Sequence, residues 1–226
     1  MTIKIENGKY YVIFNIETEI PEFPKTNEFV GIDLCMRTLA TLDNGLKIAN
    51  LDVSYEENMI KKYQKRLSRK KYNSNRYKKT LKTYWKWIDQ KKNKINDYYQ
   101  KITTQIVKKY AIIILEDLNI KGMFQNPNHS PKLQKIAWKK FVKMLKYKAE
   151  IYGKTLRQIS RWYPSSKICS NCGYYNKDLK YETEWKCPQC QKIHDRDINA
   201  AKNILKQGLT DLTDETMNLG AGRIAR

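Results

Sequence analysis

Two kinds of side chain in this sequence are grouped as chemistry requires: cysteines in close pairs, and carboxylates at the ends of apolar segments. Cys169 and Cys172, then Cys187 and Cys190, form two C-x2-C pairs separated by fourteen residues. Each spacing suits a knuckle that presents two thiolates, and two knuckles complete a tetrahedral all-sulfur zinc site. Such a site is closed, so its zinc is structural rather than catalytic. Gly173 and Pro188 sit where the knuckles turn. His194, four residues past Cys190, is a spare donor that four sulfurs make unnecessary. A segment this short buries too little to fold alone, so the metal would supply its folding energy. The fifth cysteine, Cys35, reads as a small buried residue on a strand.

The carboxylates are fewer but better placed. Asp33 lies inside the aliphatic run Val30-Gly31-Ile32-Asp33-Leu34, where an unpaired charge costs several kcal/mol unless a metal or partner compensates it. Glu116 and Asp117 follow directly on Ile112-Ile113-Ile114-Leu115, and Asp195 and Asp197 stand at the start of a helical pattern. A helix-start carboxylate can be no more than a cap. Two strand acids and one helix-start acid can also converge at one end of a sheet. There they would hold a pair of Mg2+ ions for phosphodiester hydrolysis.

The elements that must position these groups are legible from periodicity. Thr2 to Glu6, an Asn7-Gly8 turn and Lys9 to Ile16 read as a β-hairpin, followed by a linker at Pro21 and Pro24. Phe29 to Leu34, Arg37 to Leu42 and Leu46 to Leu51 read as strands, the last two joined at Asn44-Gly45. Ser54 with Glu57 has the spacing of a capping box and predicts a helix start. That helix breaks at Asn73-Ser74-Asn75, and a second carries Leu81, Trp85, Ile88, Ile95, Tyr99, Ile102 and Ile106 as its apolar stripe. Trp85 and Tyr99 on that stripe are expected in the core. Ala111 to Leu115 is too short and too β-branched for a helix. Pro131 to Tyr152 is expected to be helical, with Ile136, Phe141, Leu145 and Tyr147 among its apolar residues. Thr155 to Ile159 is expected as a strand, and a last helix from near Asp197 to before Gly208. The order gives an α/β fold carrying one inserted metal module.

Charge points to the partner. The 226 residues carry a formal net charge of +21. Self-repulsion of that size favours an anionic partner. The segment Lys61 to Lys109 holds eighteen Lys/Arg and two acids, hence +16 of that total. It also holds Tyr63, Tyr72, Tyr77, Tyr84, Trp85, Trp87, Tyr98 and Tyr99. Lysines that neutralise phosphates and rings that stack on unpaired bases make this hairpin the expected nucleic-acid face, with Lys70, Lys71, Arg76, Lys78 and Lys79 as its binding residues. A membrane is not expected as the partner, because the longest aliphatic run, Ala111 to Leu115, is far too short to span one. No secretion signal is evident, and the cysteine usage agrees with a cytoplasmic location.

Several of these segments together resemble the TnpB proteins of insertion sequences. They are Gly31-Ile32-Asp33-Leu34 with Leu39-Ala40-Thr41, Leu115-Glu116-Asp117-Leu118-Asn119, and Pro164-Ser165-Ser166-Lys167 running into Cys169-Ser170-Asn171-Cys172-Gly173. The last is Asp195-Arg196-Asp197-Ile198-Asn199-Ala200-Ala201-Lys202-Asn203-Ile204. The resemblance covers about Lys9 to Leu209. It implies an RNase H-like (RuvC) mixed sheet with helices, an inserted helical hairpin and a four-cysteine zinc ribbon. It also implies a transposon-encoded DNA endonuclease with DNA and RNA as partners, a guide RNA, structural Zn2+ and catalytic Mg2+ or Mn2+. Asp33, Glu116 and Asp197 would be the catalytic carboxylates and magnesium ligands, with Asp195 as the fallback for Asp197.

The resemblance also suggests boundaries: 1–26 for a hairpin remnant of a wedge-like barrel and a linker, 27–165 for the nuclease core with the basic helical hairpin at about 54–110, 166–191 for the ribbon and 192–226 for the closing helix of the core and a tail. Cys35 stands where the family has Gly. The N-terminal recognition half of the family is expected to be missing, which would call for a second polypeptide to supply it. A non-cutting nucleic-acid-binding regulator derived from the family is the alternative.

Overall fold

The computed structural model of the chain describes residues 1–20, 23–118, 138–180 and 182–224, with side chains through 215. It divides into two compact units: Met1–Pro21 with Leu51–Ile102, and Glu22–Asn50 with Thr103–Arg226.

In the first unit, β1 (Thr2–Glu6) pairs antiparallel with β2 (Lys9–Ile13), Glu6 opposite Lys9. The Asn7-Gly8 turn has φ of 53° and 72°. Positive φ at both central residues is what a tight hairpin turn with right-handed strand twist demands. The second strand stops at Ile13, short of the expected Ile16. α1 spans Ser54–Ser68 and α2 Asn75–Lys109.

The helix start at Ser54 is where the sequence placed it, but no capping box forms, since the N-cap residue is Val53, which makes no side-chain cap bond. Glu57 turns instead to Lys91 at 2.9 Å, while Asp52 Oδ1 accepts the Ser54 N–H at 2.9 Å. The break between helices has a sharper cause. Asn73 takes a left-handed φ of 61°, and Ser74 Oγ accepts the Tyr77 N–H at 3.1 Å as the cap of α2. Asn7 and Lys9 both donate to Asp89 at 2.6 Å, which holds the strand hairpin to α2.

The second unit is built on a five-stranded sheet in the order β5-β4-β3-β6-β7. Its strands are β3 (Phe29–Asp33), β4 (Ala40–Leu42), β5 (Lys47–Ile48), β6 (Ile112–Glu116) and β7 (Thr155–Ile159). β3, β6 and β7 run parallel, and β4 and β5 extend the sheet antiparallel from β3. This is the mixed RNase H-like layout. α3 is described over Trp138–Ile151 and buries Phe141 and Leu145. The expected helical residues before Trp138, Ile136 among them, lie outside the described residues, as does Asn119. Tyr147, expected on the apolar face, is 37% exposed. A small antiparallel pair, β8 (Glu184–Lys186) and β9 (Ile193–Asp195), precedes α4 (Arg196–Ile224).

α4 corrects the expectation of a helix ending before Gly208. The helix runs straight through that glycine. A Cβ at Gly208 would lie 2.3 Å from Ile114 Cγ2, and one at Gly31 would lie 2.2 Å from the Ala201 carbonyl oxygen. Both glycines therefore serve close approach of α4 to β3 and β6, not chain termination. Ile114, Ile159 and Ile204 form the buried seam of that contact, with Leu205 and Leu209 beside them.

Candidate metal centre and nucleic-acid interface

Asp33 is the last residue of β3 and Glu116 the last of β6, one step beyond the parallel pair Ile32↔Leu115. Asp197 lies in the first turn of α4, the helix whose backbone meets Gly31. Two strand ends and one helix start thus deliver three carboxylates to one edge of the sheet. The donor atoms of Asp33, Cys35 and Asp197 lie within 4.8 Å of one another. Glu116 lies outside that group but near enough for its charge to act on Asp33, and its Oε2 is 3.5 Å from Ser165 Oγ.

Burial and neighbouring charges raise the pKa values of Asp33 and Glu116 at this edge. Burial pushes the Asp33 carboxyl up to about 8, with the charges of Asp197 and then Glu116 adding to the rise. Burial also raises Glu116 to about 7, against the Ser165 hydrogen bond and with the help of Asp117. Among the described residues no hydrogen bond reaches the Asp33 carboxylate, and the charge of Arg196 lowers its pKa without offsetting burial and the neighbouring acids. The residues fit a divalent metal.

The neighbouring acids are otherwise engaged. Asp195 accepts from Lys47 Nζ at 2.6 Å and from the backbone N–H groups of Asp197 and Ile198 at 3.1 and 3.0 Å. Burial raises its pKa, but these three donors outweigh burial and leave it lowered. Asp195 is the cap of α4. Asp117 is paired with Arg161 at the surface.

A pH dependence follows. The raised folded pKa values of Asp33 and Glu116 mean that the native state holds protons the unfolded state has already lost. Stability without divalent cations should therefore fall as pH rises from about 4.5 to about 8. Asp33→Asn should flatten this trend, and added Mn2+ should offset it. Thermal melts across that window, in buffer free of divalent cations and chelator, read both effects. A melting temperature that climbs steadily over the range refutes the assignment of these two shifts.

Cys35 is not the buried strand residue expected. It lies just past β3 and is half-buried, with Sγ 3.4 Å from Asp197 Oδ2. Burial pushes its thiol pKa up.

The other four cysteines converge. All four sulfurs of Cys169, Cys172, Cys187 and Cys190 lie within 4.8 Å of one another, with Cys169–Cys190 and Cys172–Cys187 both at 3.6 Å. A Zn–S bond of about 2.3 Å gives a tetrahedral edge near 3.8 Å, so the set fits a zinc ion. Each knuckle closes with the same turn: Gly173 N–H to Cys169 O at 2.8 Å, and Gln191 N–H to Cys187 O at 2.9 Å. Gly173 has φ 81° and Gln191 φ 62°. The second left-handed residue is therefore Gln191, one past Cys190, where the sequence singled out Pro188. His194 Nε2 sits 3.1 Å from Cys169 Sγ and its ring packs on Trp185.

Sequence reasoning missed two buried asparagines. Asn199 accepts the Ser170 N–H at 2.9 Å and donates to Ile168 O at 2.7 Å, while Asn203 donates to Ser165 O and Ile168 O. Both project from α4, about one and two turns past its cap Asp195, and they clamp the first knuckle to that helix. The signal was their four-residue spacing on the side of α4 that carries Ala200 and Ile204.

In the first unit, a groove of about 690 Å3 is lined by Asn7, Gly8, Lys9, Lys78, Lys82, Thr83, Trp85 and Lys86. Three lysines beside one indole, with Lys9 already paired to Asp89, suit a phosphate chain and its bases. Trp85, expected in the core, is half-buried and covers Gly8, where a Cβ would meet its ring at 2.8 Å. Tyr99 is buried as expected. Of the expected binding residues, Lys71, Arg76, Lys78 and Lys79 are exposed and Lys70 is half-buried. Among the described residues none of the five forms an ion pair. Tyr72, 80% exposed, meets Tyr77 edge-on beside them. Lys82 and Lys86 fall within the expected basic hairpin though not among its five named residues, whereas Lys9 was not anticipated, because only the fold brings the strand hairpin to α2.

The sheet order, the acids at its edge and the helix packed across it define a RuvC-like fold with an inserted four-cysteine module. Comparison with known proteins agrees. Residues 12–127 match the family described as "Probable transposase" (OrfB_IS605), and residues 138–204 match "Cas12f1-like, TNB domain". The chain belongs to the TnpB family. A Streptomyces pristinaespiralis protein named "Putative RNA-guided DNA endonuclease" is 34% identical over 89% of this chain and 50% of its own length. The Escherichia coli K12 protein InsQ, of the same description, is 27% identical over 92% of this chain and 56% of its own length. The chain thus spans about half the length of these relatives.

Among solved structures, a CRISPR-Cas12f ternary complex superposes with a TM-score of 0.59 at 19% identity, covering 83% of this chain and 40% of that one. A Cas12f1–sgRNA–target DNA complex gives 0.54 at 18%, covering 90% and 55%. Both likenesses are of fold. The comparisons lend no support to a second polypeptide. Among the described residues, no helix is long and apolar enough to cross a membrane.

Proposed function

We propose that this chain is the cutting core of an RNA-guided DNA endonuclease that hydrolyses phosphodiesters with Mg2+ or Mn2+. The observation that carries the reading is the half-buried Asp33 carboxylate, without a hydrogen-bond donor among the described residues and grouped with Asp197 and Cys35 at one sheet edge. Asp33 and Asp197 would hold the cation, with Glu116 completing the acidic edge from β6. A bound pair of divalent ions supplies the activation of water and the stabilisation of the leaving oxygen. Ser165 orients Glu116, and Asp195 fixes the start of α4 so that Asp197 is held over β3. The ribbon thiolates would hold structural zinc. Guide and target strands would lie on the lysine groove and the α1–α2 turn.

The test is a cleavage assay on single-stranded and plasmid DNA, with and without RNA from the chain's own locus. Strand breaks that need Mg2+ or Mn2+ and disappear in Asp33→Ala, with nucleic-acid binding retained, support the reading. No cleavage of any substrate with either metal overturns it.

Binding carries its own prediction. Affinity for single-stranded nucleic acid should fall steeply with salt as phosphate contacts release counterions. Replacing Lys78, Lys82 and Lys86 by Ala should reduce the slope of log K against log salt by roughly two units, at about 0.7 per lost contact. An unchanged slope places the binding face elsewhere.

A further inference from the structure

We propose that Cys35 is a third donor of the metal centre formed by Asp33 and Asp197, which makes it a mixed carboxylate–thiolate site favouring Mn2+, Co2+ or Cd2+ over Mg2+. This rests on the reading of Asp33 and Asp197 as metal ligands and adds a donor to it.

Position is the first argument. Cys35 follows Asp33 by two residues, and its sulfur, an Asp33 oxygen and an Asp197 oxygen lie within 4.8 Å of one another. One cation can reach all three. The second argument is independent of the acids and concerns how the sulfur is held. The Thr38 N–H points at Sγ from 3.5 Å, and the Thr38 hydroxyl lies 3.1 Å from it. That hydroxyl is 3.2 Å from the hydroxyl of Thr41, which is fully buried. An N–H aimed at a sulfur is the outer support that orients a metal-bound thiolate. The turn after β3 thus holds the thiol over the acids.

The chemistry then sets the preference. Mg2+ takes hard oxygen donors in near-ideal octahedra, whereas sulfur selects softer ions. Binding through Cys35 breaks the S–H bond and releases its proton to solvent.

The test uses the full chain with its ribbon loaded with zinc, and titrates Co2+ into the wild type, Cys35→Ser and Asp33→Ala. Any exchange at the ribbon is common to all three and cancels in difference spectra. The expected result is a sulfur-to-cobalt charge-transfer band in the wild type that is missing from Cys35→Ser, with Cd2+ affinity lowered on the order of tenfold in that variant. Zinc content and circular dichroism unchanged in Cys35→Ser show that the fold is kept. If Co2+ binds wild type and Cys35→Ser alike, with no thiolate band, and is lost only in Asp33→Ala, the inference about Cys35 is wrong while the acidic site stands. If no Co2+ binds beyond the ribbon, the acidic site itself is refuted.

Discussion

Serine in place of Cys187 should leave the purified protein without ribbon zinc and with residues 166–195 open to protease, while the sheet and most helix survive. Among the described residues the ribbon's interior consists of Cys169, Leu179, Trp185 and Cys187, with Cys190 against it, so three of these five belong to the cysteine set proposed to hold zinc. What remains is one leucine and one indole, too little apolar area to offset the entropy of ordering some thirty residues. Zinc bound to such modules contributes about 10–16 kcal/mol, so its loss removes nearly the whole driving force. Damage should stop at α4. Ala200, Ala201 and Ile204 are no more than 2% exposed, and the close approaches of α4 to the sheet at Gly31 and Gly208 owe nothing to sulfur.

Three measurements check this together: zinc per chain, far-ultraviolet circular dichroism, and limited proteolysis. The fluorescence of Trp185 should shift to the red as its ring meets water. His194 makes the outcome a real question, because its Nε2 lies near enough to Cys169 to take a vacant coordination position. A Cys187→Ser protein that keeps one zinc and a protease-resistant ribbon shows His194 acting as the fourth ligand. The double variant with His194→Ala should then lose both.

How much of this was legible in the residues depends on the range of the signal. The strand Thr155–Ile159 and the two C-x2-C knuckles are set by neighbours, and local pattern found them. The helix end at Gly208 was misread because a glycine looks the same locally whether it ends a helix or admits a strand; only Ile114, nearly a hundred residues away, distinguishes the two. Trp85 was misread for a related reason, since helical spacing marks a face without saying what covers it. In this case it covers the Gly8 turn. Ser54 and Glu57 had the spacing of a capping box, but Lys91 is a charged partner for Glu57 that a backbone N–H cannot match. The acids were found by their apolar surroundings, and those surroundings are what raise Asp33 and Glu116. Cys35 carried no local sign of its place beside Asp197, because that proximity is made by α4 crossing β3.

Of the two aspartates at the head of α4, Asp197 should prove indispensable and Asp195 should not. They stand two residues apart, so sequence spacing alone cannot separate them, but their surroundings do. Asp195 spends one oxygen on two backbone N–H groups and the other on Lys47. A carboxylate with three donors already satisfied has little left for a cation. Asp197 faces Cys35 and Asp33, with donor atoms close enough to share one ion.

Asp197→Ala should therefore lower metal-dependent cleavage by about a thousandfold or more, the scale of several kcal/mol of lost transition-state stabilisation. Nucleic-acid binding should be unchanged, because the lysine groove is untouched. Asp195→Ala removes a helix cap worth about 1 kcal/mol and frees Lys47. It should lower the melting temperature by a few degrees and cleavage by about tenfold, through the looser seat of Asp197. Asp195→Asn, which keeps the cap oxygen, should recover most of that loss, whereas Asp197→Asn should recover none. Single-turnover cleavage at saturating Mn2+ separates the cases. If Asp195→Ala is the dead variant and Asp197→Ala retains activity, the cation is held from the cap position and the assignment of the third carboxylate must be exchanged.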